Sequence, residues 1–162
     1  MRDETASERA WRDQGAAAAK ESLTATARYF DQGHKAGLWA ARAIEMAVPS
    51  LPDKLRDDYM NTVSPWMEGN GRTCLHNPNF WRPEPVVVAA WRPGLVVCQR
   101  CTFLLIATSR DEDRTCDVCN RVVTGPENGD PIYLLSIRMI DVEWVEYQAG
   151  ACSQCYANAT NN

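Results

Sequence analysis

Short runs of hydrophobic residues, separated by turn-forming residues, mark the second half of the chain. Residues 86–91 and 95–97 are rich in valine, and the Arg92-Pro93-Gly94 sequence between them has a proline and a glycine placed for a turn. Residues 132–140 and 142–147 form a second pair of runs, which follows a stretch rich in glycine and proline. Short apolar runs bounded by such residues are typical of strands. The pattern therefore predicts two hairpins.

The first half of the chain has a different pattern, with many alanines and few strand-forming residues before residue 70. Residues 35–48 predict a helix that Pro49 ends. An earlier helix is predicted up to about residue 30, capped by one of three polar residues near its start: Asp3, Thr5 or Ser7. The alanines of this first helix would permit close approach of another helix.

A third helix is indicated by the four-residue spacing of Leu55, Tyr59 and Val63, which places their side chains on one face. The preceding Ser50-Leu51-Pro52-Asp53 sequence resembles a capping box with aspartate in place of glutamate. Two glycines follow this helix at positions typical of a link between domains. No hydrophobic run in the sequence is long enough to span a membrane.

All seven cysteines lie in the last 90 or so residues of the chain, and each belongs to a short pair. The pairs are Cys74-x-His76, Cys98-x-x-Cys101, Cys116-x-x-Cys119 and Cys152-x-x-Cys155. Zn²⁺ takes four thiolate or imidazole ligands in structural sites, and a Cys-x-x-Cys turn supplies two of them. The eight ligands therefore predict two Zn²⁺ ions per chain. One metal with spare thiols is the main alternative.

Closed four-ligand sites indicate structural metals, since catalytic zinc keeps an open coordination position. A disulfide framework would leave one of the seven cysteines unpaired, and the polar residues 1–10 contain no secretory signal. The sequence also contains no nucleophile–base set, phosphate-binding glycine loop or paired-carboxylate motif. These observations predict a cytoplasmic protein that is not an enzyme.

Around the ligands, the same order of features occurs twice: a ligand-bearing turn, a hairpin, and a Cys-x-x-Cys pair at the start of a short helix. This order resembles the treble-clef zinc finger, here in tandem over roughly residues 72–159. The resemblance implies that the first four ligands hold one metal and the last four hold the other. A RING-like cross-brace, which would imply a ubiquitin-ligase adaptor, is also open. The main alternative is a zinc ribbon, with one metal held by Cys98, Cys101, Cys116 and Cys119.

The predicted fold class is α+β, with an N-terminal helical segment followed by a small zinc-stabilised module of hairpins and short helices. We expect a helical domain over residues 1–66, a linker over 67–71 and a two-zinc module over 72–162. The module is predicted to consist of a first finger over 72–110 and a second finger over 111–162.

The charge balance bears on the choice of partner. The formal net charge is −4, and residues 63–162 contain eight arginines, no lysine and eleven acidic residues. Two zinc sites with seven thiolates would lower the net charge of −4 to about −7. Non-specific binding to nucleic acid depends on lysine and arginine beside the phosphates. A zinc module with more acidic than basic residues binds nucleic acid poorly unless its arginines cluster on one face.

A repeated Trp-Arg-Pro sequence is the feature that favours nucleic acid. It occurs at residues 81–83 and 91–93, and Arg100 follows in the first Cys-x-x-Cys pair. Exposed tryptophan and arginine side chains stack on bases, whereas buried tryptophans would pack the hairpin instead. The candidate interaction surface therefore consists of Trp81, Arg82, Trp91, Arg92 and Arg100.

The functional prediction is a zinc-binding adaptor or assembly subunit that binds other proteins, with zinc in a structural role. The N-terminal helices would dock it to a larger complex or form oligomers, and no membrane partner is expected. The alternative is a nucleic-acid-binding, regulatory zinc-finger protein that uses the Trp/Arg hairpin.

Overall fold

The structure is a computed structural model that describes residues 41–161, together with five helical residues near the start: Arg9, Ala10, Asp13, Gln14 and Ala17. Most of the predicted first helix, and residues 35–40 of the predicted second, lie outside the described residues. Within residues 41–161 the strands are β1 (Ala41–Met46), β2 (Arg72–Thr73), β3 (Val86–Ala89), β4 (Leu95–Cys98), β5 (Ile132–Met139) and β6 (Val145–Cys152). The α-helices of this range are α1 (Asp53–Met67), α2 (Arg110–Arg114) and α3 (Ser153–Thr160), and a 3₁₀ segment spans Gln99–Leu105.

The six strands form one mixed sheet in the order β1-β5-β6-β3-β4-β2. The two hairpins predicted from the apolar runs are confirmed as the antiparallel pairs β3–β4 and β5–β6. Strands β3 and β6 pair in parallel, with Val86 opposite Val145 and Ala89 opposite Gln148. This pairing joins the hairpins of the two predicted fingers into one continuous sheet. The molecule is therefore mixed helix and strand over the residues described, with the sheet at its centre.

Strand β1 corrects one prediction, since the sequence favoured a helix over residues 35–48. The structure instead pairs Ala41–Met46 in parallel with β5, with Ile44 opposite Ile137 and Met46 opposite Met139. The side chains of Ile44 and Met46 pack against the main hydrophobic core. Pairing with a neighbouring strand supplies backbone hydrogen bonds and burial that outweigh the helix preference of the alanine, arginine, glutamate and methionine residues in the segment.

Helix α1 covers one face of the sheet, as the spacing of its apolar residues predicts. Leu55, Tyr59 and Val63 are almost completely buried, and Trp66 continues the same face. They pack on side chains of both hairpins, which belong to the same core: Val86, Val88, Val96, Leu135, Ile137, Val145 and Tyr147. One helix therefore holds the two hairpins together.

The N-terminus of α1 differs from the predicted capping box. Pro52 is the N-cap residue, and no side chain caps the helix there. A proline ring has no acceptor oxygen, so it cannot satisfy the free backbone N–H groups of the first turn. Asp53 lies in this first turn, where its negative charge interacts favourably with the positive end of the helix dipole.

The opposite face of the sheet carries two smaller cores that contain the cysteines. The first combines Val87, Ala89, Val97 and Leu105 with three cysteines of the first two pairs. The second is built around Cys116 and Cys152 with Val123 and Ile132. Each core lies where a hairpin strand ends, so the sheet places the ligand residues in apolar surroundings.

Candidate metal centres

The seven cysteines and His76 converge into two groups of four. One group is Cys74, His76, Cys98 and Cys101, and the other is Cys116, Cys119, Cys152 and Cys155. Within each group the candidate ligand atoms all lie within 4.8 Å of one another. The structure thus groups the first two ligand pairs in one cluster and the last two in the other. A zinc ribbon or a cross-brace would require other combinations of pairs. All seven cysteines are free thiols, so no disulfide competes for them.

Two knuckle turns supply the first ligand pair of each group, and both close in the same way. The residue after the second ligand is an asparagine with a left-handed backbone, Asn77 at φ 47° and Asn120 at φ 61°. Each asparagine N–H donates to the carbonyl of the first ligand, at 2.9 Å for Cys74 and 2.8 Å for Cys116. Asparagine tolerates this conformation better than most residues. The two knuckles are therefore equivalent, although Cys-x-His is one residue shorter than Cys-x-x-Cys.

The second ligand pair of each group begins where a strand passes into a helical segment. Cys98 ends β4 and precedes the 3₁₀ segment, whereas Cys152 ends β6 and precedes α3. Both residues have nearly the same extended backbone, with φ and ψ of −72° and 165° for Cys98 and −67° and 164° for Cys152. The following turn then returns Cys101 or Cys155 to the cluster. The predicted repeat of turn, hairpin and helical Cys-x-x-Cys is thus present twice.

A backbone-to-sulfur hydrogen bond links the two halves of each group. The N–H of Cys98 donates to Sγ of Cys74 at 3.4 Å, and the N–H of Cys152 donates to Sγ of Cys116 at 3.3 Å. Such donors stabilise a thiolate by partly compensating its negative charge. They also fix the sulfur positions from outside the cluster, as the outer hydrogen bonds of metal sites do.

The acid–base behaviour of the thiols indicates that each cluster is crowded with potential negative charge. Burial, with hydrogen bonds from neighbouring thiols, raises the pKa of Cys101 to about 11. Burial also acts on Cys152, but hydrogen bonds from the Cys155 backbone and from nearby thiols outweigh it and lower its pKa to about 7. Adjacent thiols cannot all ionise without a compensating cation. A bound metal ion would supply that charge and displace the protons.

The predicted interaction residues lie in different surroundings. Trp91 is buried, and its indole N–H donates to the carbonyl of Leu105 at 2.6 Å. Arg92 forms an ion pair with Glu112 and donates to the carbonyl of Ile106. These contacts use both residues to hold the segment after the first cluster against the hairpin.

The other three residues of the predicted surface are exposed. Trp81 is 71% exposed, and Arg82 and Arg100 are exposed as well. The same Trp-Arg-Pro sequence therefore has a structural role at one position and an accessible indole at the other. The difference arises from what each triplet contacts, which its local sequence does not encode.

Asp117, between the two ligands of the second knuckle, is a positioning residue that the sequence did not single out. Its carboxylate accepts a hydrogen bond from the Gly150 N–H at 2.6 Å, and its own N–H donates to the Gly150 carbonyl at 2.8 Å. These two bonds attach the second knuckle to β6. The only signal in the sequence is an acidic residue within a Cys-x-x-Cys turn, which is too common to indicate this role.

Comparison of the chain with protein-family models, curated proteins and solved structures finds no match. Among the residues that the structure describes, no helix combines the length and apolar composition needed to cross a membrane. The geometry of the two clusters is therefore the main observation on function. Their spacing and donor atoms are compatible with two metal ions, one held by three cysteines and a histidine and the other by four cysteines.

Proposed function

We propose that both clusters bind Zn²⁺ in closed tetrahedral sites with a structural role. Tetrahedral Zn–S bonds of about 2.3 Å place two sulfurs about 3.8 Å apart, and a sulfur and an imidazole nitrogen about 3.6 Å apart. The sulfurs of Cys119 and Cys152 lie 3.9 Å apart. His76 Nδ1 lies 3.2 Å from Sγ of Cys101 and 3.4 Å from Sγ of Cys98. These separations fit the edges of such tetrahedra.

The repeated architecture supports a tandem treble-clef arrangement. Each cluster combines a knuckle, a hairpin and a Cys-x-x-Cys turn, and each knuckle is closed by an equivalent asparagine. The two units differ from independent fingers in one respect, since β3 and β6 place both hairpins in one sheet. Four protein ligands at each metal leave no open position for a substrate, so the proposed zinc ions are not catalytic.

Exposed apolar side chains beside the first cluster support the role of a non-enzymatic adaptor that binds other proteins. Leu75, between the two knuckle ligands, is fully exposed, and Phe103 and Ile106 are each more than half exposed. Leu75 is carried on the first knuckle, and Phe103 and Ile106 lie within and just after the 3₁₀ segment that contains Cys101. Exposed apolar residues grouped in this way are typical of protein-binding sites. We define Leu75, Phe103, Leu104 and Ile106 as the knuckle patch.

The alternative of nucleic-acid binding through the Trp/Arg hairpin has less support. Trp91 and Arg92 are committed to contacts within the chain. The region beyond residue 62 also has more acidic than basic side chains. A gel-shift series at low salt with DNA and RNA tests this alternative, and a shift that decreases with added salt would support it.

The zinc proposal is tested by the metal content of protein produced without added zinc. We expect two zinc ions per chain, as measured by elemental analysis. One ion per chain, or none, would contradict the proposal.

The adaptor proposal is tested by charge substitutions that spare the metal ligands. Leu75→Asp and Phe103→Asp should abolish recovery of a partner in a native pulldown and leave the zinc content unchanged. Val122→Asp is the matched control, because Val122 is similarly exposed but lies beside the second knuckle. Equal recovery with all three variants, or recovery of no partner by the unaltered chain, would argue against the adaptor function.

A further inference from the structure

A second surface feature lies at the C-terminal end of α1, where the chain turns back toward the first knuckle. It is a cavity of about 280 Å³. The described residues that line it include two tryptophans, one acidic side chain, two asparagines and no basic side chain: Trp66, Met67, Glu68, Gly69, Gly71, Thr73, Asn77, Pro78, Asn79 and Trp81. The cavity shares no residue with the knuckle patch.

The aromatic walls of the cavity are held rigidly. The indole N–H of Trp66 donates to the Pro78 carbonyl at 2.7 Å, and that of Trp81 donates to the Met67 carbonyl at 3.2 Å. Phe80 makes edge-to-face contacts with both indoles, with ring centroids 5.3 Å from Trp66 and 5.2 Å from Trp81. Trp81 nevertheless remains 71% exposed. Fixing an exposed indole in this way preserves a π surface at the cavity that a ligand can contact without ordering it first.

The backbone makes room for the cavity through Gly71. A Cβ atom at this position would lie 2.7 Å from the Trp66 Cα, so no other residue fits here without displacing the helix end. The chain therefore passes close over Trp66 before it enters the first knuckle. Asn77 and Asn79, which follow in the chain, add polar groups to the lining.

The electrostatics of the cavity favour a cation. Among the described residues, Glu68 is the only charged side chain that lines the cavity, and the C-terminal end of α1 carries the negative end of the helix dipole. The last turn of α1 contains no basic residue to compensate that dipole. Arg72 and Arg82 are neighbours of lining residues but do not line the cavity. An indole face beside a carboxylate is a favourable site for an ammonium or guanidinium group.

We propose that this cavity binds a cationic side chain with N–H donors, lysine or arginine, presented by a partner protein. The cation lies against the indole of Trp81, and its N–H groups donate to the Glu68 carboxylate. The cavity is suited to a single side chain, because its volume is below the range typical of sites for larger ligands. The proposal rests on the protein-binding function only for the source of this side chain.

The test titrates the full, zinc-loaded chain with Nα-acetyl-lysine amide and Nα-acetyl-arginine amide, whose side chains keep their positive charge. Binding is followed by NMR through the indole N–H signals of Trp66 and Trp81. We expect saturable shifts at both indoles with a Kd of about 1 mM or below. N-acetyl-norleucine amide, which has an apolar chain without the charge, should cause no saturable shift. Absence of saturation with both cationic probes, or equal shifts with norleucine, would overturn the proposal.

Two variants connect the binding to the cavity. Trp81→Ala should abolish the saturable shift at Trp66, and Glu68→Gln should weaken binding about threefold. Asp57→Asn removes the same charge from an exposed position in the N-terminal half of α1, and Ile140→Ala removes an exposed apolar side chain outside both the cavity and the knuckle patch. Both controls should bind as the unaltered chain does. Equal losses with Asp57→Asn and Glu68→Gln would mean general charge attraction, and would also overturn the proposal.

These measurements separate the cavity from the adaptor function. Loss of the partner in the Leu75→Asp pulldown with normal binding of the amide probes would leave the cavity proposal intact. Normal partner recovery with no binding of the probes would overturn the cavity proposal alone.

Discussion

At the residue scale, Asn77 and Asn120 determine how each ligand-bearing turn closes. Both have positive φ, and both donate a backbone hydrogen bond to the first ligand of their cluster. A residue with a Cβ and no local polar group adopts this conformation at a cost of about 1 kcal/mol. The two positions therefore require a residue that adopts a positive φ, and they depend less on the asparagine side chain itself.

Substitution of Asn120 tests this requirement. Asn120→Ala should lower the free energy of unfolding of the zinc-loaded protein by about 1 kcal/mol, whereas Asn120→Gly should leave it nearly unchanged. Denaturant unfolding at fixed free zinc concentration measures both. Asn61→Ala, at an exposed position within α1, is the control and should not lower stability. Equal losses for alanine and glycine at position 120 would point to the side chain instead.

Tyr59 of α1 and Tyr147 of β6 form a pair of tyrosines in the core between the helix and the sheet. Their ring centroids lie 5.3 Å apart, and burial raises the pKa of both phenols well above the usual range. The Tyr147 hydroxyl donates to the Leu55 carbonyl at 3.1 Å. The Tyr59 hydroxyl is buried and has no hydrogen-bond partner in the structure of the described chain. The two hydroxyls therefore contribute to stability with opposite signs.

Removing each hydroxyl tests this contrast. Tyr147→Phe should cost about 1 kcal/mol, because it removes a buried hydrogen bond between the sheet and the Leu55 carbonyl. Tyr59→Phe should be neutral or stabilising by up to about 1 kcal/mol, because it removes a buried polar group that has no partner. Thermal unfolding of the two variants at equal zinc loading measures the difference. A larger loss for Tyr59→Phe than for Tyr147→Phe would contradict the assignment.

At the scale of elements, α1 is the part of the chain that connects the two hairpins. Leu55 is completely buried against the sheet, whereas Met60 on the same helix is 42% exposed. Leu55→Ala should therefore destabilise the protein by about 3 kcal/mol, and Met60→Ala by less than about 0.5 kcal/mol. Urea unfolding gives both values. Similar losses at the two positions would mean that the helix does not pack by this face.

The elements that sequence reasoning predicted correctly are those specified by nearby residues. The β3–β4 hairpin follows from its apolar runs and the turn at Gly94, and α1 follows from the spacing of Leu55, Tyr59 and Val63. The order of the ligand pairs likewise indicated the grouping of the two clusters. In each case the residues that determine the feature belong to a single element or to a single repeat of the ligand pattern.

The features that sequence reasoning did not predict depend on distant pairing. Strand β1 contains Ala41 and Ala43, which favour strands weakly, and it is extended because it pairs with β5 more than 85 positions away. Parallel pairing of β3 with β6 has no local signal either, since both were expected within separate fingers. The different burial of Trp81 and Trp91 also depends on contacts outside each triplet, because the Trp81 indole binds the Met67 carbonyl and the Trp91 indole binds the Leu105 carbonyl.

At the scale of the whole molecule, the two clusters and the sheet depend on each other. Strands β4 and β6 end in the ligands Cys98 and Cys152, and their hairpins are joined through β3. Helix α1 packs on the same core. Zinc bound to thiolates contributes on the order of 10 kcal/mol to the folding of small domains, which is comparable with the total stability of an ordinary domain. Loss of the metals should therefore affect more than the ligand loops.

We expect removal of both metals by excess chelator to unfold the hairpins and α1 together. The near-UV dichroism of the buried tryptophans Trp66 and Trp91 should be lost in a single transition, along with the hydrogen-exchange protection of α1 amides. Readdition of zinc under reducing conditions should restore both signals. Lowering the pH should have the same effect as chelation, because protons compete with the metal for the thiolates. If α1 kept its protection after complete metal removal, the helix and sheet would form a core that is stable without zinc, and the metals would order only the ligand loops.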